Sequence, residues 1–181
     1  MKAGDKEKWK SETSSSLLVT AGAFSIAKIM TCEDFSNLQR LFRVTALILQ
    51  FVKIVKTRLQ QSAEKQKELT NQDIAAAKTL WIQEIQKSLS KNPKLEIWRR
   101  QFGLFTDEHG IMRYMGRLSQ AQLPASAKYL ILLDKSHHIT SLFVRDSHER
   151  VMHGGVKSTL AELRSRFWIV QGRQFVRKLL Y

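Results

Sequence analysis

From Ser36 onward, apolar side chains return at alternating steps of three and four residues. Leu38, Leu41, Thr45, Ile48, Val52, Val55 and Leu59 form one stripe, widened by Phe42 and Phe51. That spacing predicts a single helix with one face toward a core, its start capped by Asp34 or Ser36. A homodimeric coiled coil is the alternative use of the same stripe. A second helix is announced by Thr70 at its N-cap, Asp73 at its third position, and Leu69 paired with Ile74 as a hydrophobic staple. Ile74, Ala77, Trp81, Ile85 and Leu89 line its apolar face, and Asn92-Pro93 stops it. Residues 34–92 therefore read as a helical pair joined by the polar stretch Gln60–Glu68.

The period then changes. Phe102–Thr106 and Ile111–Tyr114 flank Asp107-Glu108-His109-Gly110, where the glycine can take a positive φ, and this predicts a β-hairpin. Tyr129–Leu133 is a third strand, so residues 93–137 form a β-rich extension. Beyond Ser136 the pattern is helical again: one helix over His138–Met152 ending at Gly154-Gly155, a second over Val156–Arg166, a third over Arg173–Tyr181. Three short helices with tight turns, over residues 138–181, have the layout of a helix-turn-helix-like unit. Its expected core is Leu142, Val151, Leu160, Leu163, Phe167, Trp168, Val176 and Leu179 or Leu180. Residues 1–33, with a charged start and a serine run before an apolar patch, read as a linker or disordered segment. The expected fold class is mainly α with a small β region.

Charge adds a partner to this picture. Thirty basic residues stand against 16 acidic ones, a formal net charge of +14, which favours a polyanion and makes nucleic acid the default candidate. The densest basic surface is C-terminal: Lys157, Arg164, Arg166, Arg173, Arg177 and Lys178, opposed there only by Glu162. Those side chains suit phosphate contacts; a solvated basic face with no ligand is the bland alternative. One cysteine, Cys32, excludes both a disulfide framework and a cysteine-rich zinc cage within this chain. The longest apolar run is too short for a membrane span, and Asp5, Glu7 and Glu12 argue against a signal peptide ending in Leu17–Ala27. No Gly-rich phosphate loop or nucleophile triad points to a small-molecule substrate.

The remaining chemistry lies in His148 and His153. Five positions along a regular helix turn about 140°, so these rings diverge unless the second sits where the helix ends, as Gly154-Gly155 allows. Two imidazoles are half of a tetrahedral zinc set. Two histidines near a helix end are also common without any metal. His137-His138 belong to a helix start, and His109 is expected to be exposed in its turn.

His148-Glu149-Arg150-Val151-Met152-His153-Gly154-Gly155, Lys157–Arg164, Phe167-Trp168-Ile169 and Gly172-Arg173 together resemble the HHCC zinc-binding domain of retroelement integrases. Upstream, Phe35-Ser36-Asn37-Leu38, Leu41–Ala46 and Leu80-Trp81-Ile82 are similar to the region joining RNase H to integrase in BEL/Pao-type retrotransposon polyproteins. Gly103-Leu104-Phe105, Asp107, Gly110 and Gly116-Arg117-Leu118 resemble the extension before the zinc domain, whereas Tyr129–Asp134 departs from a segment that usually carries prolines. The resemblance covers about residues 34–181. It implies that His148 and His153 are metal ligands, with the Cys-x-x-Cys pair expected just past Tyr181, so that zinc binding here is weak or absent. It implies a non-catalytic fragment: the three-carboxylate core would follow, and Glu162 is the sole acid after His153. DNA binding, homo-oligomerisation and a nuclear setting are what such a module would contribute to integration. The alternative is a degenerate or domesticated helical interaction domain with no metal or DNA role.

Overall fold

The computed structural model describes residues 26–59, 68–116, 122 and 125–181. The expected linker up to residue 25, the connection at 60–67 and the residues Arg117-Leu118 lie outside the described residues. The helices are α1 (Leu38–Leu59), α2 (Asn71–Ser90), α3 (Leu95–Phe102), a single turn α4 (Ala125–Lys128), α5 (His138–Arg150), α6 (Gly155–Arg164) and α7 (Gly172–Leu180). The strands are β1 (Leu104–Thr106), β2 (Met112–Met115), β3 (Tyr129–Leu133) and β4 (Phe167–Ile169). The protein is mainly helical with a small mixed sheet in the order β1-β2-β3-β4. The first three strands are antiparallel neighbours, and β4 joins β3 in parallel, with Ile131 opposite Phe167 and Leu133 opposite Ile169.

Local chemistry explains most of the boundaries. Asn37, not Asp34 or Ser36, caps α1: its Oδ1 accepts from the Arg40 N–H at 3.0 Å. At α2 the Thr70 hydroxyl accepts from the Asp73 N–H while the Asp73 carboxylate accepts from the Thr70 N–H at 2.9 Å, a reciprocal box that satisfies two free donors. The Asn92-Pro93 break ends α2 as expected, but the chain then turns straight into α3, a helix absent from the sequence expectation. Its end is set by Gly103, left-handed at φ 60°.

Two apolar clusters lie on the two faces of the sheet. Alternation along β4 sends Phe167 and Ile169 to one face and Trp168 to the other. The larger cluster unites Leu38, Leu41 and Phe42 of α1, Trp81, Ile82 and Ile85 of α2, Leu142 and Phe143 of α5, and Leu163 and Val176. Phe143 packs on Phe42 at 6.0 Å and on Phe167 at 4.6 Å between ring centroids. The smaller cluster joins Leu89, Leu95, Met112 and Leu132, with Trp98 and Trp168 against it. Burial of the α1 stripe is confined to its first half: Thr45 and Ala46 are fully buried, whereas Val55 and the flanking Leu47 and Phe51 are exposed.

A buried amide ties helix to sheet. Gln86 of α2 is 4% exposed, accepts from the Met112 N–H at 2.7 Å and donates to the Met112 and Leu132 carbonyls at 2.8 Å each. It stands between β2 and β3 just beyond their last ladder pair, Arg113 opposite Ile131, so a side chain replaces main-chain pairing there. In the hairpin, the Asp107 carboxylate accepts from the N–H groups of His109 and Ile111 and from Arg113 Nε at 2.6 Å. His109 is half-buried rather than exposed, and Gln83 donates to its carbonyl at 2.9 Å.

A histidine pair at the α5–α6 corner

The corner between α5 and α6 decides where the two candidate ligands point. α5 ends at Arg150, two residues earlier than the sequence pattern suggests, and Met152 and His153 both take left-handed backbones at φ 49° and 58°. The His153 N–H donates to the His148 carbonyl at 3.0 Å, closing the last turn over the helix end. Gly155, at φ 80°, then releases the chain into α6. The result cancels the angular divergence of a regular helix. The His148 and His153 rings meet edge to face with centroids 4.7 Å apart.

Thr159, one turn into α6 and fully buried, orients the first ring. Its hydroxyl donates to the Gly155 carbonyl at 2.8 Å and lies 3.0 Å from His148 Nδ1. A hydroxyl whose proton is already engaged must accept, so the neutral form of His148 carries its proton on Nδ1 and its lone pair on Nε2. That is the arrangement in which an outer partner fixes a histidine for metal binding. His153 is exposed, on a corner open to solvent.

The donor set stops at two. Among the described residues no group of three or more His, Cys, Asp or Glu side chains could hold a metal ion. Cys32 sits in the main core, 7% exposed, and its Sγ donates to Glu33 at 3.2 Å. Burial first, then that hydrogen bond and the Glu33 charge, push the thiol up to about 12, so it rests as a protonated, buried thiol. His137 is the N-cap of α5, its Nδ1 accepting from the Ile139 N–H at 3.3 Å, and His138 Nε2 is 3.0 Å from the Phe35 carbonyl. Two imidazoles are half the donor count that a closed tetrahedral zinc site requires.

The basic candidates divide. Lys157 and Arg164 of α6, and Arg173, Arg177 and Lys178 of α7, are exposed. Arg173 and Arg177, four apart, share one face of α7. Arg166 is different: half-buried, its guanidinium is held by Glu162 at 3.2 Å and lies over the Phe167 ring at 5.6 Å. Arg164 lies over Trp168 at 5.8 Å. Between α6 and α7 the expected three-helix unit contains a strand, because Phe167 and Ile169 are drawn into the sheet by β3 rather than left to pack on α6 alone. Lys78 of α2, which the sequence did not single out, also lies over Phe167, with Nζ at 5.4 Å. No helix among the described residues is long and apolar enough to cross a membrane. Set against known protein families, curated proteins and solved structures, the chain matches none.

Proposed function

We propose that this chain is a non-catalytic integrase zinc-binding domain fragment of a BEL/Pao-type retrotransposon polyprotein, binding nucleic acid and supporting multimerisation during DNA integration. The observation that carries the proposal is the convergence of His148 and His153 at 4.7 Å, with Thr159 fixing the His148 tautomer. Convergence costs two left-handed non-glycine residues, a conformation uncommon outside glycine and its polar substitutes. The exposed cations of α6 and α7 supply phosphate contacts, which give affinity without sequence readout.

Zinc binding belongs to this proposal as a property of a longer chain. With two imidazoles the rest of the coordination sphere falls to water, and most of the roughly 10–16 kcal/mol that a closed site supplies is forgone. Calorimetric titration of the 181-residue chain is expected to show weak zinc binding, and a version extended through a Cys-x-x-Cys pair is expected to bind far more tightly. Equal, negligible binding by both chains removes the zinc assignment. Tight stoichiometric zinc in the 181-residue chain points to other ligands, His137 or His138.

The second reading, a helical interaction domain with no metal or DNA role, is favoured by Leu47, Phe51 and Val55, which form an exposed apolar row at four-residue spacing on α1. Salt-insensitive or absent duplex binding together with self-association through α1 supports it over the first.

A further inference from the structure

β3 and β4 run parallel, so both end at the same rim of the sheet, with Leu133 opposite Ile169. Past that rim β3 runs into Asp134 and Lys135, and β4 into Val170 and Gln171. Two hollows open there, of about 510 Å³ and about 310 Å³, and Lys135 and Gln171 line both. Lys135 Nζ donates to Gln171 Oε1 at 2.6 Å, so this hydrogen bond marks where the hollows adjoin. Gln171 takes its place on a left-handed backbone at φ 58°, uncommon for a residue with a side chain. The carboxyl ends of parallel strands are also where open sheets carrying helices leave crevices for ligands.

The hollows repeat one set of side chains. Toward α7, Phe175 supplies a half-buried ring, Gln174 an amide and Lys178 an ammonium. Toward α3, Trp98 supplies the half-buried ring, Asn92 the amide and Lys94 the ammonium. Phe175 packs against the larger apolar cluster and Trp98 against the smaller, so the groove crosses the rim from one face of the sheet to the other. Its charged lining is three lysines and Asp134. That carboxylate already accepts from the Ser88 and Ser136 hydroxyls at 2.8 Å each and from the Ser136 N–H at 3.1 Å.

Both volumes fall within the roughly 300–1,000 Å³ of small-ligand sites. An aromatic face beside an ammonium suits an unstacked nucleotide: the ring takes the base, and the ammonium takes the phosphate. An amide can then bond the base edge. A duplex, whose bases stay in the stack, cannot fill such hollows. We infer that this groove binds single-stranded nucleic acid, one unpaired base against Phe175 and another against Trp98, with Lys94, Lys135 and Lys178 on the backbone phosphates. The inference rests on the nucleic-acid function proposed above and gives it a strand class. The exposed cations of α6 and α7 meet any phosphate backbone; the groove takes only one whose bases are free.

The test uses the full chain and three fluorescently labelled probes of about ten nucleotides: oligothymidylate, the same oligomer without bases, and a duplex. Anisotropy is followed across a salt series. Oligothymidylate is expected to bind at least ~5-fold more tightly than the abasic oligomer, because stacked bases add affinity that phosphates alone do not. Phe175→Leu keeps apolar bulk in the larger cluster and removes the ring. It is expected to weaken oligothymidylate about 5-fold while leaving the abasic oligomer and the duplex unchanged. Lys135→Gln, at an exposed position, serves if Phe175→Leu folds poorly, and is expected to reduce the slope of log K against log salt for oligothymidylate by about 0.7. Arg99→Gln on α3, outside both hollows, is the control and should leave the preference for thymidylate over the abasic oligomer intact. Equal binding of the two oligomers, or oligothymidylate binding that neither variant alters, overturns the groove, while salt-sensitive duplex binding leaves the function proposed above standing. Polyglutamate that displaces the probe as well as unlabelled oligothymidylate does assigns the groove to acidic chains and overturns the inference likewise. Binding of no probe overturns both.

Discussion

Replacing Gln86 by leucine tests whether one side chain holds the sheet to the helices. The carboxamide makes three hydrogen bonds of 2.7–2.8 Å from a position 4% exposed to solvent. Its orientation is not arbitrary, because the Met112 N–H can be satisfied only by Oε1, which leaves Nε2 for the two carbonyls. Leucine fills similar volume but strands one N–H and two carbonyls where water cannot reach them. Each stranded group costs about 1–3 kcal/mol, and the added apolar burial returns at most about 2 kcal/mol. Three such groups cost about 3–9 kcal/mol, so after the apolar return the net loss is roughly 1–7 kcal/mol, with a midpoint of about 4 kcal/mol that for a domain of this size lowers Tm by about 10 °C. Urea unfolding followed by tryptophan fluorescence and circular dichroism measures it, with an unchanged m-value confirming that stability alone has moved. Gln86→Glu is expected to be no better, since a carboxylate cannot donate to Met112 and Leu132. A Gln86→Leu protein within about 1 kcal/mol of the parent refutes the reasoning and means that β2 and β3 can re-pair without the amide.

Other outcomes follow from the same geometry. His137 has its pKa lowered from 6.5 by burial, partly offset by Glu33, Asp134 and Glu84 and reinforced by His138, so the folded state binds fewer protons than the unfolded one. Stability is therefore fully present above pH 6.5 and is lost as pH falls below it, and His137→Asn, which caps α5 without titrating, should flatten that part of the pH–stability curve. Thr159→Val should leave the fold intact but release the His148 tautomer, lowering zinc affinity about 10-fold in a chain extended by two cysteines; an unchanged affinity contradicts the orienting role. Cys32, with its thiol pushed up to about 12, should alkylate with iodoacetamide only as fast as the core opens, and added urea should accelerate the reaction. Phe51→Glu should cost under about 0.5 kcal/mol of stability, since Phe51 is 66% exposed, yet shift any self-associated species to monomer in sedimentation velocity.

The helical pair and the hairpin were legible because their signals are local. The box of Thr70 and Asp73 needs only four residues, and Asp107 through Gly110 need no distant partner. Three features were not local. Helix α3 follows a proline break and carries Arg99 and Arg100 next to Trp98, so its short amphipathic pattern was hidden by a region that otherwise alternates as strand. Strand β4 is three residues long, and its apolar side chains suit a helical core as well as a sheet; β3 decides between them. Gln86 and Lys78 look like ordinary polar positions on a solvated face, and only the docking of β2 and of Phe167 against α2 makes them special. At the candidate site, Gly154-Gly155 signalled the condition for His148 and His153 to meet, a helix that ends before the second. The means was not legible, because Met152 is not a residue from which left-handed backbone is expected.

The parallel alignment of β3 with β4 has a kinetic side. A hairpin can zip from its turn, but these two strands become neighbours only after the crossover through α5 and α6 has folded back on itself. Ordering that crossover is an entropic cost met before any β3–β4 hydrogen bond forms, which places the pairing late in folding and among the slower steps. Destabilising β4, as with Ile169→Ala, should then speed unfolding while leaving the folding rate nearly unchanged, whereas destabilising α2 should slow folding. Growing from the ribosome, the same chain would hold β1, β2 and β3 as a sheet whose β3 edge stays raw until Phe167 through Ile169 arrive to cover it.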